Sequence, residues 1–212
     1  MANENGGAPK GVLLLSGGFD SVVAGNCALS RGTELVAVHF SQEPFTDSAP
    51  EKKAAELAKI LGLKKLIVVP LAIPLEEIAK KCSRKHYFVL MKRLFLRVAE
   101  QIAGREHCDF IVTGESLGQV SSQTLQNLSV IDSATKMLVV RPLLCIEKQE
   151  IIDLAKKIGT HDISVGKEEC DALGPKHPST MAKPEFVIEE EKKIGLERLV
   201  SNAISKSHEI PL

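Results

Sequence analysis

The chain has 212 residues, 44% hydrophobic and 25% charged, with 27 basic and 27 acidic side chains and a formal net charge of zero. That is the size and composition of one globular domain, large enough to bury a core without staples. The even charge argues against a surface coated for nucleic acid, although a local basic patch is compatible with it.

The five cysteines (Cys27, Cys82, Cys108, Cys145 and Cys170) include no CxxC pair. This speaks against a disulfide framework or a closed zinc site and for reduced thiols. The opening residues lack a secretory apolar run, and no apolar stretch is long enough to span a membrane. The expectation is a cytoplasmic protein with no membrane partner.

Residues 1–10 read as a disordered tail, 11–183 as the main domain, and 184–212 as a C-terminal helix and tail of the same domain. Gly11 to Leu15 is a continuous apolar run, suited to a strand covered on both faces. A helix is predicted over 20–31 and a second strand over 34–40. Ser48-Ala49-Pro50-Glu51 reads as a capping box opening a helix that runs to about Leu61 and stops at Gly62. Strand three is predicted over 66–69, followed by one long helix over about 75–103. Strand four is predicted over 110–112, strand five over 137–140, and a helix over 147–158. Residues 159–183 form a loop too long to be a simple connector, and Pro184 opens a helix over about 185–205. Alternation of strands and helices predicts an α/β fold, doubly wound and Rossmann-like, with a parallel sheet and helices on both faces.

Ser16-Gly17-Gly18-Phe19-Asp20-Ser21 lies between the first strand and the first helix. Glycines there let successive N–H groups turn toward one anion, and the helix start adds partial positive charge. The Ser16 and Ser21 hydroxyls supply further donors, and Asp20 suits a Mg²⁺ that bridges phosphates. Neither a Walker loop nor a GxGxxG dinucleotide loop is present. At this position the pattern resembles the PP-loop ATP pyrophosphatases. That resemblance implies ATP and Mg²⁺ as cofactors, cleavage to AMP and pyrophosphate, and an adenine nucleotide alpha hydrolase-like fold.

Three further stretches resemble the tRNA 4-thiouridine synthetases (tRNA sulfurtransferases, a family also tied to thiamine biosynthesis): 113–124 (TGESLGQVSSQT), Arg141-Pro142-Leu143-Leu144 with Lys148, and 170–178 (CDALGPKHP). In the first, a strand end delivers Gly114 against a ligand and the polar run, Gln123 included, opens the next helix. Lys148 is a candidate for neutralising phosphate charge. The resemblance implies that Cys170 takes part in sulfur transfer, and its loop holds Lys167, Lys176 and His177 alongside Glu168 and Glu169. The other cysteines read as small core residues.

The stretch His39-Phe40-Ser41-Gln42-Glu43-Pro44-Phe45-Thr46 also resembles the family. Backbone around Val38–Phe40 would bracket adenine, while the His39 side chain is open to a structural or a binding role. The resemblance implies tRNA and a persulfide sulfur donor protein as partners, and members commonly form homodimers. Members also normally carry a THUMP domain, many a rhodanese-like domain, and some an iron–sulfur cluster, none of which is visible here. The chain is therefore expected to be an excised catalytic domain, or a stand-alone protein that meets tRNA weakly or through a partner.

The segment Arg84-Lys85, Lys92-Arg93 and Arg97 is a candidate phosphate contact or a solvated helix face. An adenylating enzyme with another acceptor, and a nucleotide-binding module without turnover, are the alternatives to tRNA thiolation.

Overall fold

The computed structural model describes residues 7–165 and 173–212. In chain order its elements are β1 (Lys10–Leu14), α1 (Phe19–Leu29), β2 (Glu34–Ser41), α2 (Ala49–Ile60), β3 (Lys65–Pro70), α3 (Ala72–Lys81), α4 (Tyr87–Glu106), β4 (Phe110–Val112), α5 (Leu125–Asp132), β5 (Leu138–Val140), α6 (Lys148–Lys157), the single turn α7 (His161–Ser164), α8 (Pro184–Lys192), α9 (Leu196–Ser205) and β6 (His208–Pro211). The strands form one sheet in the order β5-β4-β1-β2-β3-β6. β1 to β5 are parallel to their neighbours, and β6 runs antiparallel to β3.

Side chains alternate across the sheet, as the two-residue period of a strand requires. Val12, Val36, Val38, Ile67, Val69 and Ile111 pack with α3, α4, α5, α8 and α9. Leu13, Leu35, Ala37, Leu66, Val68 and Val112 pack with α1, α2 and α6 on the other face. The path β1-α1-β2-α2-β3 moves outward in one direction, and α3 and α4 then return on the opposite face to place β4 on the other side of β1. Strand order thus reverses between β1 and β4. In open α/β sheets ligands bind at that reversal, beyond the carboxyl ends of the strands.

Four expectations need correction. The single helix over 75–103 is two, because Cys82 is extended (φ −103°, ψ 164°) and a short 3-10 turn, Arg84–His86, follows. The break is tertiary in origin: Ser83 N–H donates to Glu190 Oε2 at 2.8 Å and the Cys82 thiol meets the Glu190 carbonyl at 3.4 Å, both on α8. α4 then runs beyond Gly104 and ends where His107 turns left-handed (φ 55°).

The helix over 185–205 is likewise two, separated around Gly195 and followed by β6, whose sequence HEIP gives little strand signal. The sheet is therefore mixed rather than all parallel. At α2 the Ser48 side chain makes no cap bond; the Ala49 N–H donates instead to Asp47 Oδ1 at 2.8 Å.

Candidate active site

The first strand hands the chain directly to the phosphate loop. The Leu15 N–H still bonds to the Val38 carbonyl at 2.9 Å, after which the backbone turns. Gly17 has φ +94°, a conformation that strains any residue with a Cβ. The Ser21 hydroxyl donates to the Gly18 carbonyl at 3.1 Å and lies 3.2 Å from the Ser16 hydroxyl, while the Gly18 N–H reaches Ser16 Oγ at 3.3 Å. Gly18 is the N-cap of α1 and no side chain caps it. Two hydroxyls therefore converge with the positive end of a helix whose first N–H groups are offered outward, which is an anion cradle.

This cradle forms part of a cleft of about 1040 Å³ that also takes in His39 and Phe40 from β2, Gly114 beyond β4, and Gln123. Phe88, Met91 and Phe95 of α4 supply apolar lining, and Phe40 stacks on Phe95 with ring centres 4.3 Å apart. Gln123 is buried and its Oε1 has no partner among the described residues; the same is true of Gln42 Oε1 at the end of β2. A buried polar atom left unpaired costs about 1–3 kcal/mol, so these oxygens mark where a ligand N–H is expected.

His39 is buried, with Nδ1 2.9 Å from the Leu15 carbonyl. A carbonyl only accepts, so Nδ1 carries the proton and donates. Burial pushes the imidazole below its ordinary pKa, against the opposing pull of that bond and of Glu51 and Glu43. The ring thus ties β2 to the strand end that launches the phosphate loop. Gly114 also needs restating: a Cβ there would lie 2.4 Å from the Asp20 backbone carbon. Its close approach is to the phosphate loop itself, although it also lines the cleft.

Lys148 lies outside the cleft lining, at the start of α6. Its Nζ donates to both oxygens of Asp20, at 2.9 and 3.0 Å, and sits 5.7 Å from the centre of the Phe19 ring. The fold thus joins two residues 128 positions apart at the edge of the phosphate loop. Cys170 lies outside the described residues, as do Lys167, Glu168 and Glu169. Further along that loop, Pro175, Lys176 and Pro178 line the cleft.

Of the cysteines read as core residues, Cys82 and Cys108 fit: burial is the main cause that pushes each thiol up to about 11. Cys27 is half-buried, and Cys145 is exposed because it sits in the turn between β5 and α6.

A family model, thiamine biosynthesis protein (ThiI), matches residues 6–196. The chain belongs to the ThiI family. It is 42% identical over 201 residues to a probable tRNA sulfurtransferase of Alkaliphilus oremlandii, an alignment covering 92% of this chain and 51% of the relative. A probable tRNA sulfurtransferase of Moorella thermoacetica is 40% identical over 201 residues, with 92% and 52% covered. The chain therefore spans about half the length of the curated relatives it matches. Among solved structures, a 4-thiouridine synthetase–RNA complex with bound ATP superposes with a TM-score of 0.91 at 36% identity, covering 95% of this chain and 55% of that one. The NMN synthetase of Francisella tularensis shares the fold alone, with a TM-score of 0.61 at 15% identity over 94% of this chain and 78% of its own.

In this ThiI-family chain, sequence reasoning gave Glu115 no role of its own. Its buried carboxylate meets Lys92 Nζ at 2.6 Å, Arg141 Nε at 2.7 Å and Thr113 Oγ1 at 3.1 Å, and Arg141 also grips both oxygens of Asp132. Burial alone would raise the Glu115 pKa, but the two cations overcome it and hold the carboxyl at about 2. The signal was present in TGES and RP, two short motifs carrying opposite charges, but only the fold brings them together.

Of the candidate basic segment, Arg84 and Lys85 are exposed, whereas Lys92, Arg93 and Arg97 are engaged in ion pairs. Arg93 is buried and bonds to both oxygens of Glu191, to the Val130 carbonyl and to Ser133 Oγ, and Arg97 shares Glu191. The (i, i+4) pair clamps α8 onto α4 rather than facing solvent. Among the described residues no helix is long and apolar enough to cross a membrane.

Proposed function

We propose that the chain is the adenylating domain of a tRNA-thiolating enzyme, converting a uridine of tRNA to 4-thiouridine at the expense of ATP. The observation that carries this reading is the anion cradle at Ser16–Ser21, set at the strand-order reversal in a cleft with room for a nucleotide and a second base. The likeness to a 4-thiouridine synthetase bound to ATP and RNA supports it.

In this reading the N–H groups at the start of α1 and the Ser16 and Ser21 hydroxyls hold the pyrophosphate portion of ATP. The end of β2 around His39 and Phe40 receives the adenine. The uridine O4 attacks the α-phosphorus, and the bond to the bridging oxygen breaks as pyrophosphate leaves. Lys148 passes from Asp20 to the phosphates and offsets the negative charge that grows on them.

Asp20 fits a Mg²⁺, which typically binds through one or two carboxylates and substrate phosphates. When bound, the ion would lend Lewis-acid stabilisation to the phosphate oxygens. Gln123 Oε1 accepts a hydrogen bond from a base N–H. The outer sulfur of a donor protein's persulfide then attacks C4 and displaces AMP, leaving base and donor joined by a disulfide. The Cys170 thiolate attacks the donor's sulfur, releasing the 4-thiouridine thiolate and leaving a Cys170–donor disulfide that a thiol reductant reopens.

The test is pyrophosphate release from ATP with and without bulk tRNA, with Asp20→Ala as the blank and the remaining half of the Alkaliphilus oremlandii relative supplied in trans. Release that rises with tRNA and is followed by 4-thiouridine in the product supports the reading. Release indifferent to tRNA under both conditions rejects it.

A further inference from the structure

Asn127, in the first turn of α5, is completely buried. Its Nδ2 donates to the carbonyls of Ser121 at 2.7 Å and Ser179 at 2.9 Å, and its Oδ1 accepts from the Ala182 N–H at 2.8 Å. Both amide protons and the carbonyl oxygen are thus engaged with main chain. Thr124 Oγ1 reinforces the same junction by donating to the Thr180 carbonyl at 2.7 Å, and the Ser179 N–H separately ties its stretch to the Lys85 carbonyl, ahead of α4, at 2.8 Å.

The two stretches that Asn127 joins are walls of the cleft. Ser121, Ser122 and Gln123 line it on one side and Pro175, Lys176 and Pro178, just ahead of Ser179, on the other, whereas Ser179 and Asn127 do not. One wall presents the unpaired Gln123 Oε1 and the other the Lys176 ammonium. An acceptor for a base N–H on one wall and a lysine for a phosphate on the other is the combination that a nucleotide of an RNA strand needs. Neither wall belongs to β1 or α1, which carry the phosphate cradle, or to β2, whose end is assigned to the adenine.

We propose that Asn127 is a positioning residue that fixes the spacing of these two walls, and that the walls receive the acceptor nucleotide rather than ATP. The identity of that acceptor as tRNA rests on the function proposed above; the locking of the walls does not.

The experiment compares the full chain with Asn127→Asp and Thr124→Val. The aspartate is isosteric but turns a carboxylate toward two carbonyl oxygens. The valine, on a partly exposed residue, removes only the bond to Thr180 and the cap of α5. ATP affinity is measured by calorimetry, tRNA-dependent pyrophosphate release by kcat/KM for tRNA, and backbone hydrogen exchange by mass spectrometry.

For Asn127→Asp the expected result is ATP affinity within about twofold of wild type and kcat/KM for tRNA lowered by about tenfold or more, the effect of losing buried hydrogen bonds at a positioned site. Part of that loss returns toward acid, where a protonated carboxyl again donates one bond. Thr124→Val shifts the same way by less. Amide exchange over 179–182 speeds up while that of the phosphate loop does not.

Equal losses in ATP affinity and acceptor turnover, or no loss in turnover, overturn the proposal. If the wild type shows no tRNA dependence even with the remaining half of the Alkaliphilus oremlandii relative supplied in trans, the tRNA reading fails. Exchange then decides the locking role by itself: faster exchange over 179–182 in either variant supports it, and unchanged exchange rejects it. Thr124→Val keeps both measurements available if the aspartate variant does not fold.

Discussion

Replacing Gly114 with alanine would put a methyl carbon 2.4 Å from the Asp20 carbonyl carbon, 2.5 Å from the Ser21 nitrogen and 2.6 Å from the Asp20 oxygen. All three are backbone atoms, so no side chain can swing away, and ordinary contact at 3.4 Å or more demands a shift of 1.0 Å (3.4 minus 2.4). Overpacking of this kind costs about 1–3 kcal/mol, and a domain of this size loses roughly 2–4 °C per kcal/mol. The melting temperature is therefore expected to fall by on the order of 5 °C.

The functional loss is expected to be larger. The shift falls on the peptide that opens α1 and carries Asp20, and a misplacement of about 1 Å at a reacting centre costs roughly a hundredfold in rate. Gly104→Ala is the matched control, because a Cβ there meets nothing within 4 Å and alanine suits the last turn of α4. It is expected to stabilise by about 0.5–1 kcal/mol without touching turnover. Thermal melts without nucleotide, ATP titration calorimetry and pyrophosphate release separate the two effects. A Gly114→Ala protein with wild-type melting temperature and ATP affinity would refute the packing argument.

Lys148→Met breaks a pair whose lysine is about half exposed, so urea midpoints should move by no more than roughly 0.5 kcal/mol. Pyrophosphate release should nonetheless fall by about 10²–10³-fold, as for a group that meets charge developing in the transition state. Glu115 has a folded pKa of about 2 against an ordinary 4.5, so its contribution to stability is complete above 4.5 and is lost as pH falls from there toward 2. Glu115→Gln should accordingly lose about 3–5 kcal/mol at neutral pH, and denaturant melts should show its gap to wild type narrowing below pH 4.5. Arg93→Met leaves Glu191 with Arg97 alone and takes the guanidinium donor from the Val130 carbonyl, which keeps the Ser133 hydroxyl; a loss of about 3–5 kcal/mol in urea melts is expected, with the salt dependence of RNA binding unchanged.

What was legible in the sequence was local. The phosphate loop spans six consecutive residues between an apolar run and a helix start, so its backbone geometry follows from its own glycines and hydroxyls. The five parallel strands were legible for the same reason, each a short β-branched or leucine run bounded by turn residues. Features made by distant partners were not. The interruption at Cys82 depends on Glu190, 108 residues on, and no helical period records it. Arg93 and Arg97 have the spacing of a solvent face, yet Glu191 of α8 turns that face inward. Gly114 was read as approaching a ligand, but the backbone atoms it approaches belong to Asp20 and Ser21, which only the β1–β4 pairing brings near. Asn127 gave no signal, because an asparagine in a polar run does not reveal that three main-chain groups converge on it.

The short antiparallel strand β6 has a consequence for how the chain behaves when crowded. β3 carries Lys65-Leu66-Ile67-Val68-Val69-Pro70, an apolar and β-branched run whose outer side would present unpaired N–H and C=O groups as a template for another chain. β6 occupies that side from Lys65 to Val68, and its own backbone carries a histidine, a glutamate and a proline. The Glu209 carboxylate pins Lys65 at 2.9 Å, and the Leu212 N–H donates to the Lys64 carbonyl at 3.2 Å. The residues of β6 thus act as a guard against edge-to-edge aggregation, and removing them would leave a sticky sheet edge.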